Sequence, residues 1–219
     1  MGPDRAFGRF PFYRGEIVLA SSSPRRRYLL GLVRIKHRVV RPTIREEDHA
    51  HEDPARHVVR LARLKALSVA PRVKSGLVLG ADTIVVQDGD ILEKPGSKAD
   101  AHRMLRRLAG RRHQVYTGLA LVDAASGRRA EGYERSLVKI RRLTDAEIDA
   151  YIATGEPMDK AGSYGIQGYG AAIVERVEGC YFNVVGLPLV KLLRLIRSLD
   201  RAAAGRPVTA RRKPSRRSR

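Results

Sequence analysis

Leu77 to Val86 reads Leu-Val-Leu-Gly-Ala-Asp-Thr-Ile-Val-Val, an apolar run of strand length with a carboxylate, Asp82, inside it. Burying an ionised side chain without a partner is expensive, so Asp82 must meet a cation, a metal ion or a cleft. Taken alone, it reads equally well as a capped structural carboxylate and as a metal ligand or general base. Asp88-Gly89 follows as a tight-turn dipeptide, and Ile91-Leu92 begins a return strand. Lys94-Pro95 at its end sets an ammonium that could lie near Asp82.

The rest of the chain alternates strand and helix signals around this hairpin. Ile17 to Ala20 suits a short buried strand; Ser23-Pro24 is a cap followed by proline at the first helical position, with Gly31 as the stop. Asp53-Pro54 repeats that start for a helix through Val58, Leu61, Ala62 and Lys65. Ser97 and Asp100 resemble a capping box for a helix with Ala101, Met104, Leu105 and Leu108 on one face and Gly110 beyond it. Val115 to Val122 and Gly132 to Ile140 read as a strand pair around Ser126-Gly127, and Thr144 with Glu147 caps a helix carrying Ile148, Tyr151 and Ile152. After a last strand near Ala171 to Val177, Pro188 opens a helix with Leu189, Leu192, Leu193, Ile196 and Leu199 as its apolar stripe. This interleaving, with several hairpins and no strict βαβ regularity, predicts an α/β class with a mixed sheet.

Two further segments are chemically unusual. Leu19 to Arg27 runs from a strand through Ser21, Ser22 and Ser23 into a helix whose first turn holds Arg25, Arg26 and Arg27. Cations there oppose the helix macrodipole by about 0.3–1 kcal/mol each, a penalty that a bound anion such as phosphate would reverse. A solvated basic face is the bland alternative. Neither a P-loop lysine signature nor a strand, GxGxxG and helix occurs. Gly155 to Gly168 has too many glycines for a helix and too many polar groups for a plain connection; it should line a site, with the Gln167 amide suited to a base edge.

The formal net charge is +20, and eight basic residues with no acidic one lie from Arg201 onward, leaving +12 on the remainder. That balance attracts polyanions, triphosphates included. Residues 201–219, poor in large apolar side chains, are expected to be a disordered tail able to touch RNA or DNA nonspecifically. A single folded unit is expected over 16–200, after an N-terminal extension over 1–15. Cys180 is the only cysteine, so an intrachain disulfide is excluded and a reducing compartment fits. Neither a membrane-length apolar run nor a signal-peptide core is present, so a cytoplasmic protein is expected.

Taken in order, these segments resemble the Maf family, related in fold to the inosine-triphosphate pyrophosphatases. The match runs from Ile17 to about Leu199. It takes in Leu-Ala-Ser-x-Ser-Pro-Arg-Arg, Ala-Asp-Thr with Ile-Leu-Glu-Lys-Pro, and Val115-x-Thr117-Gly118. It closes with Gly-Glu-Pro-x-Asp-Lys-Ala-Gly, Tyr-Gly-Ile-Gln-Gly and Val-Gly-Leu-Pro. The resemblance implies a mixed twisted sheet flanked by helices, two lobes around a cleft, and hydrolysis of a nucleoside triphosphate between its α and β phosphates. A divalent cation, Mg²⁺ or alternatively Mn²⁺, would assist.

By the same resemblance Asp82 matches the catalytic aspartate. Ser21, Arg25, Lys65 and Lys94 match positions around the triphosphate, and Glu46 matches an acidic position that, with Asp82, would hold the metal. Arg26, Thr83 and Gln167 match positions that set base preference. Gln167, with Lys160 after Asp159, resembles the dTTP/UTP branch rather than the 7-methyl-GTP branch, which stays the alternative substrate. Ser22 departs from the glycine or other small residue common at its position. The alternative from another class is a nucleic-acid-binding regulator such as a cell-division (septum) inhibitor. Such a binder would have no reason to keep Asp82 and Glu46 beside its basic residues. A homodimer is left open.

Overall fold

The computed structural model describes residues 13–44 and 52–204. In chain order the strands are β1 (Ile17–Ala20), β2 (His37–Val39), β3 (Leu77–Gln87), β4 (Asp90–Leu92), β5 (Arg112–Asp123), β6 (Arg129–Ile140) and β7 (Val174–Glu178). The helices are α1 (Pro24–Leu32), α2 (Pro54–Val69), α3 (Lys98–Leu108), α4 (Asp145–Ala153), α5 (Tyr181–Val185) and α6 (Leu189–Ala204). The strands form one sheet in the order β2-β1-β3-β5-β6-β7, with β4 paired to β3. The contacts β2/β1 and β1/β3 are parallel and the others antiparallel, so the sheet is mixed, as expected.

Local signals set most boundaries. The Asp53 side chain accepts from the backbone N–H of Ala55 and Arg56, which is worth about 1 kcal/mol, and Pro54 lacks the N–H that would go unsatisfied at that position. Thr144 and Glu147 form a complete capping box. At Ser97 only half of one forms: its hydroxyl accepts from Asp100 N–H, while the Asp100 carboxylate turns to Gly96 N–H.

Four expectations need correction. Gly31 does not stop α1, which continues to Leu32 and turns away at Arg34, a non-glycine residue with φ 53°. Ser23 makes no side-chain cap; its backbone N–H instead donates to Ser21 Oγ. Pro188 precedes α6 rather than opening it and offers its carbonyl to Leu192 N–H. The last strand begins at Val174, because a 3-10 turn occupies Gly168–Ala172. The strand β2 and the short helix α5 were not foreseen at all.

Helix α6 runs through Ala204, past Arg201, and residues from 205 lie outside those described. Within the described residues no helix is long and apolar enough to cross a membrane.

The core falls into clusters distributed along β3. On one face, Leu77, Leu79 and Ala81 pack with β1, β5, α1 and α6, while Val85 belongs to a second cluster with β4, β6, α3 and α4. On the other face, Val78 packs under Ala62 and Ala66 of α2, while Ile84 and Val86 pack with Val58. Thr83 and Asp82 occupy the gap between clusters on their respective faces, because successive side chains of a strand point to opposite sides. The polar pair inside the apolar run therefore marks the boundary between the two lobes.

The edge of β3 explains why that boundary is open. One edge is paired with β5 from Leu77 to Val86. The other is paired with β1 only over Leu77–Gly80 and with β4 only over Val85–Gln87. Between them, Ala81 to Ile84 have no strand neighbour on that side among the described residues, and a cleft of about 610 Å³ opens there.

Candidate active site

Helix α2 lies close against the sheet because two glycines leave room for it. A Cβ on Gly80 would overlap the Ala62 carbonyl oxygen, and one on Gly118, which is paired with Asp82, would overlap the Val58 carbonyl oxygen. This approach brings Lys65 over the strand, where its ammonium donates to Asp82 Oδ1 at 2.6 Å. Both side chains are nearly buried. The cation that meets Asp82 is thus Lys65, while Lys94 lies exposed on the same cleft wall with no hydrogen bond to Asp82. Asp82 Oδ2 makes no hydrogen bond among the described residues.

The serine turn and the start of α1 supply the opposite wall. Arg26 donates from Nη1 to Ser21 Oγ (3.1 Å), from Nη2 to Thr83 Oγ1 (3.0 Å) and from Nε to the Gly186 carbonyl (2.9 Å). Thr83 Oγ1 lies 2.9 Å from Thr117 Oγ1, which donates to the Asn183 carbonyl. The fully buried Asn183 amide donates in turn to the Val115 carbonyl and to Ser136 Oγ. Arg26 and Thr83 are therefore joined to each other and to a buried chain that ties α5 to the sheet. The Gln167 side chain, on the cleft wall, makes no hydrogen bond among the described residues.

Arg25 reaches across the cleft mouth to Asp159, with Nη1 3.2 Å from Oδ2; Lys160 Nζ lies 2.6 Å from Oδ1 of the same carboxylate and also donates to the Glu156 carbonyl. Partial burial would raise Asp159, but hydrogen bonding from Lys160 and the charges of Arg25 and Lys160 outweigh it and hold the carboxyl below its ordinary value.

Eight of the nine site residues expected from sequence line this one cleft: Ser21, Arg25, Arg26, Lys65, Asp82, Thr83, Lys94 and Gln167. Glu46, the ninth, lies outside the described residues. The segment from Gly155 to Gly168, expected to line a site, supplies Asp159, Lys160 and Tyr164 to the cleft wall, whereas sequence reasoning missed Arg41 and His57. His57 could have been found: it stands eight residues before Lys65 on α2, a spacing that keeps both on one face. Its Nδ1 lies 3.1 Å from Glu52 Oε2, and Arg60 grips the same carboxylate at 2.7 Å. The hydrogen bond from Arg60, foremost, holds Glu52 below its ordinary value, helped by His57 and opposed by burial.

Six cations face three carboxylates on the described cleft wall, so the site favours an anion. Among the described residues no three His, Cys, Asp or Glu side chains converge as a metal centre. A hard divalent cation nonetheless fits beside Asp82 Oδ2, because such ions commonly take one or two carboxylates and complete their shell with substrate phosphates and water.

Comparison with known proteins gives the site its context. Residues 16–199 match the family described as Maf-like protein. The dTTP/UTP pyrophosphatase of Moorella thermoacetica is 51% identical over 181 residues, covering 83% of this chain and 93% of that protein. Its counterpart in Dictyoglomus turgidum is 47% identical, covering 84% and 95% respectively. The Bacillus cytotoxicus protein of the same name is also 47% identical, covering 86% and 98%. Among solved structures, the Staphylococcus aureus Ham1 protein aligns with a TM-score of 0.42 at 17% identity, over 73% of this chain and 79% of that one.

Proposed function

Because this chain belongs to the Maf-like protein family, we propose that it hydrolyses dTTP and UTP between the α and β phosphates, giving the nucleoside monophosphate and pyrophosphate. The observation that carries this reading is the Lys65–Asp82 pair at the open edge of β3, set in a cleft whose other charged groups are mostly cations. A triphosphate brings several negative charges that repel an attacking water; Arg25, Lys65 and Lys94 would neutralise them and stabilise the pyrophosphate as it leaves. Ser21 adds a hydroxyl to the same cleft.

In this reaction a water oxygen bonds to the α phosphorus and the bond from that phosphorus to the bridging oxygen breaks. Asp82 would either accept the water proton at the oxygen that Lys65 leaves unbonded or hold a divalent cation there, for which the resemblance adds Glu46 as the second carboxylate. A bound Mg²⁺ or Mn²⁺ would withdraw charge from the phosphates. Gln167 is assigned to the base: a uracil or thymine edge presents two carbonyl acceptors flanking one N–H donor, and an amide answers with a donor and an acceptor. Arg26 and Thr83, bonded to each other and lining the same cleft, are assigned to base selection with it.

The test is pyrophosphate release from dTTP, UTP, CTP, GTP and 7-methyl-GTP, with and without Mg²⁺ or Mn²⁺, by wild type and Gln167→Glu. A wild type that prefers 7-methyl-GTP, or a variant with an unchanged substrate ranking, would falsify the substrate assignment.

A further inference from the structure

We propose that Glu156 is a positioning residue for base selection, acting through Gln167; this rests on the reading that Gln167 faces the pyrimidine. Gln167 sits in an extended residue between Gly165-Ile166 and the 3-10 turn that starts at Gly168. A loop so rich in glycine has little intrinsic preference for one conformation and needs outside bonds to hold it.

One carboxylate supplies most of them. Glu156 Oε1 accepts from the Tyr151 hydroxyl (2.7 Å) and from Gly170 N–H (3.0 Å), while Oε2 accepts from Tyr169 N–H (2.9 Å). The Tyr151 hydroxyl in turn accepts from Gly165 N–H at 3.0 Å. Backbone donors on both sides of Gln167 therefore converge on Glu156, directly at residues 169 and 170 and through Tyr151 at residue 165.

The glycines make this possible. A Cβ on Gly168, where φ is +66°, would overlap Glu156 Oε2, and one on Gly165 would come within 2.8 Å of Lys160 Cε. Hydrogen bonds to an ionised acceptor are the stronger class. The Gln167 amide takes no part in the network, so the clamp fixes its backbone and leaves its side chain to the ligand.

The test combines two readouts on the full-length chain. Amide hydrogen exchange at Gly165, Tyr169 and Gly170 is measured without nucleotide. The ratio of kcat/KM for UTP over CTP, whose bases differ at the edge an amide reads, is measured for wild type, Glu156→Ala, Gln167→Ala and the double variant. Glu156→Ala should speed exchange at all three amides and cut the UTP-over-CTP ratio about tenfold, the size of one lost hydrogen bond in a desolvated site. Gln167→Ala should cut it similarly, and the double variant no further than either single one, because the two act in series.

Unchanged exchange in Glu156→Ala overturns the proposal, as does a ratio that survives Glu156→Ala while Gln167→Ala destroys it. Should Gln167→Ala keep the ratio, the base-reading role of Gln167 falls and base selection through Glu156 falls with it; the exchange data then report separately on the clamp. If Glu156→Ala does not fold, Glu156→Gln serves for the same comparison. Its amide retains one acceptor oxygen and points a donor at another donor, so it should fall between wild type and the full loss.

Discussion

Lys65 and Asp82 stand seventeen residues apart, one on a helix and one on a strand, and their charged groups meet at 2.6 Å. That distance depends on neighbours that carry no charge. Gly80 and Gly118 let the backbone of α2 rest on β3 and β5, and any side chain at either position would lift the lysine away from the carboxylate.

The first expectation concerns Asp82 itself. Asp82→Asn keeps an oxygen for the Lys65 ammonium and removes the charge needed for proton or metal handling. Turnover should fall about 10²–10⁴-fold while the thermal midpoint shifts little. Lys65→Met, by contrast, leaves a nearly buried carboxylate without its cation and should destabilise the fold by about 3 kcal/mol. Wild-type turnover by a folded Asp82→Asn protein would end the mechanism.

Gly118→Ala tests the helix seat. The added methyl meets the Val58 carbonyl oxygen, and overpacking of this kind costs about 1–3 kcal/mol. Activity should fall with stability, although residue 118 contributes no functional group. A variant as stable and active as wild type would mean that α2 can move without disturbing Lys65.

Arg26→Lys should do more harm than its conserved charge suggests. The guanidinium joins Ser21, Thr83 and Gly186, and one ammonium cannot span all three. A loss of about 2–3 kcal/mol in chemical denaturation is expected, together with a higher KM for dTTP.

His113 gives the fold a pH dependence. Burial pushes its pKa down from 6.5 to about 4; Nε2 bonds the Tyr164 hydroxyl at 2.6 Å, while Nδ1 is buried with no partner among the described residues. Between those two values the unfolded chain binds a proton that the folded chain does not. The contribution of His113 is therefore fully present above pH 6.5 and is lost as pH falls toward 4. From neutral pH to pH 4.5 the wild type should lose about 2–3 kcal/mol more than His113→Gln in urea titrations. Parallel losses in the two proteins would remove His113 as the cause.

Removing residues 205–219 should leave hydrolysis and the thermal midpoint nearly unchanged and flatten the salt dependence of any RNA or DNA binding. Loss of most hydrolysis would place that segment within the catalytic unit.

Much of this molecule was legible because its signals are local. Asp53-Pro54, Thr144 with Glu147, and Asp88-Gly89 each fix a boundary within a few residues, and the structure uses all three. The strand β2 escaped because His37–Val39 is three residues long, carries no apolar alternation and takes its extended form from pairing with β1. The helix α5 escaped because five residues are too few to show a period. At the site, Asp82 drew notice as a charge inside an apolar run. Glu156, Asp159 and Lys160 were marked only as members of the segment from Gly155 to Gly168, since their individual contacts, with Arg25 and with the backbone at residues 165–170, are ones that no spacing announces.

The continuous pairing of β3 with β5 from Leu77 to Val86 has one more consequence. Both lobes are carried by the same two strands, so the cleft is a notch cut into a single beam, and closing it like a jaw would mean bending the beam. Motion during turnover therefore falls to what is attached along its sides, long side chains such as Arg25 and Lys94. An engineer seeking a different substrate has the same freedom and the same limit. The loops can be rebuilt one at a time, while the floor that holds Asp82 and Thr83 must be left alone.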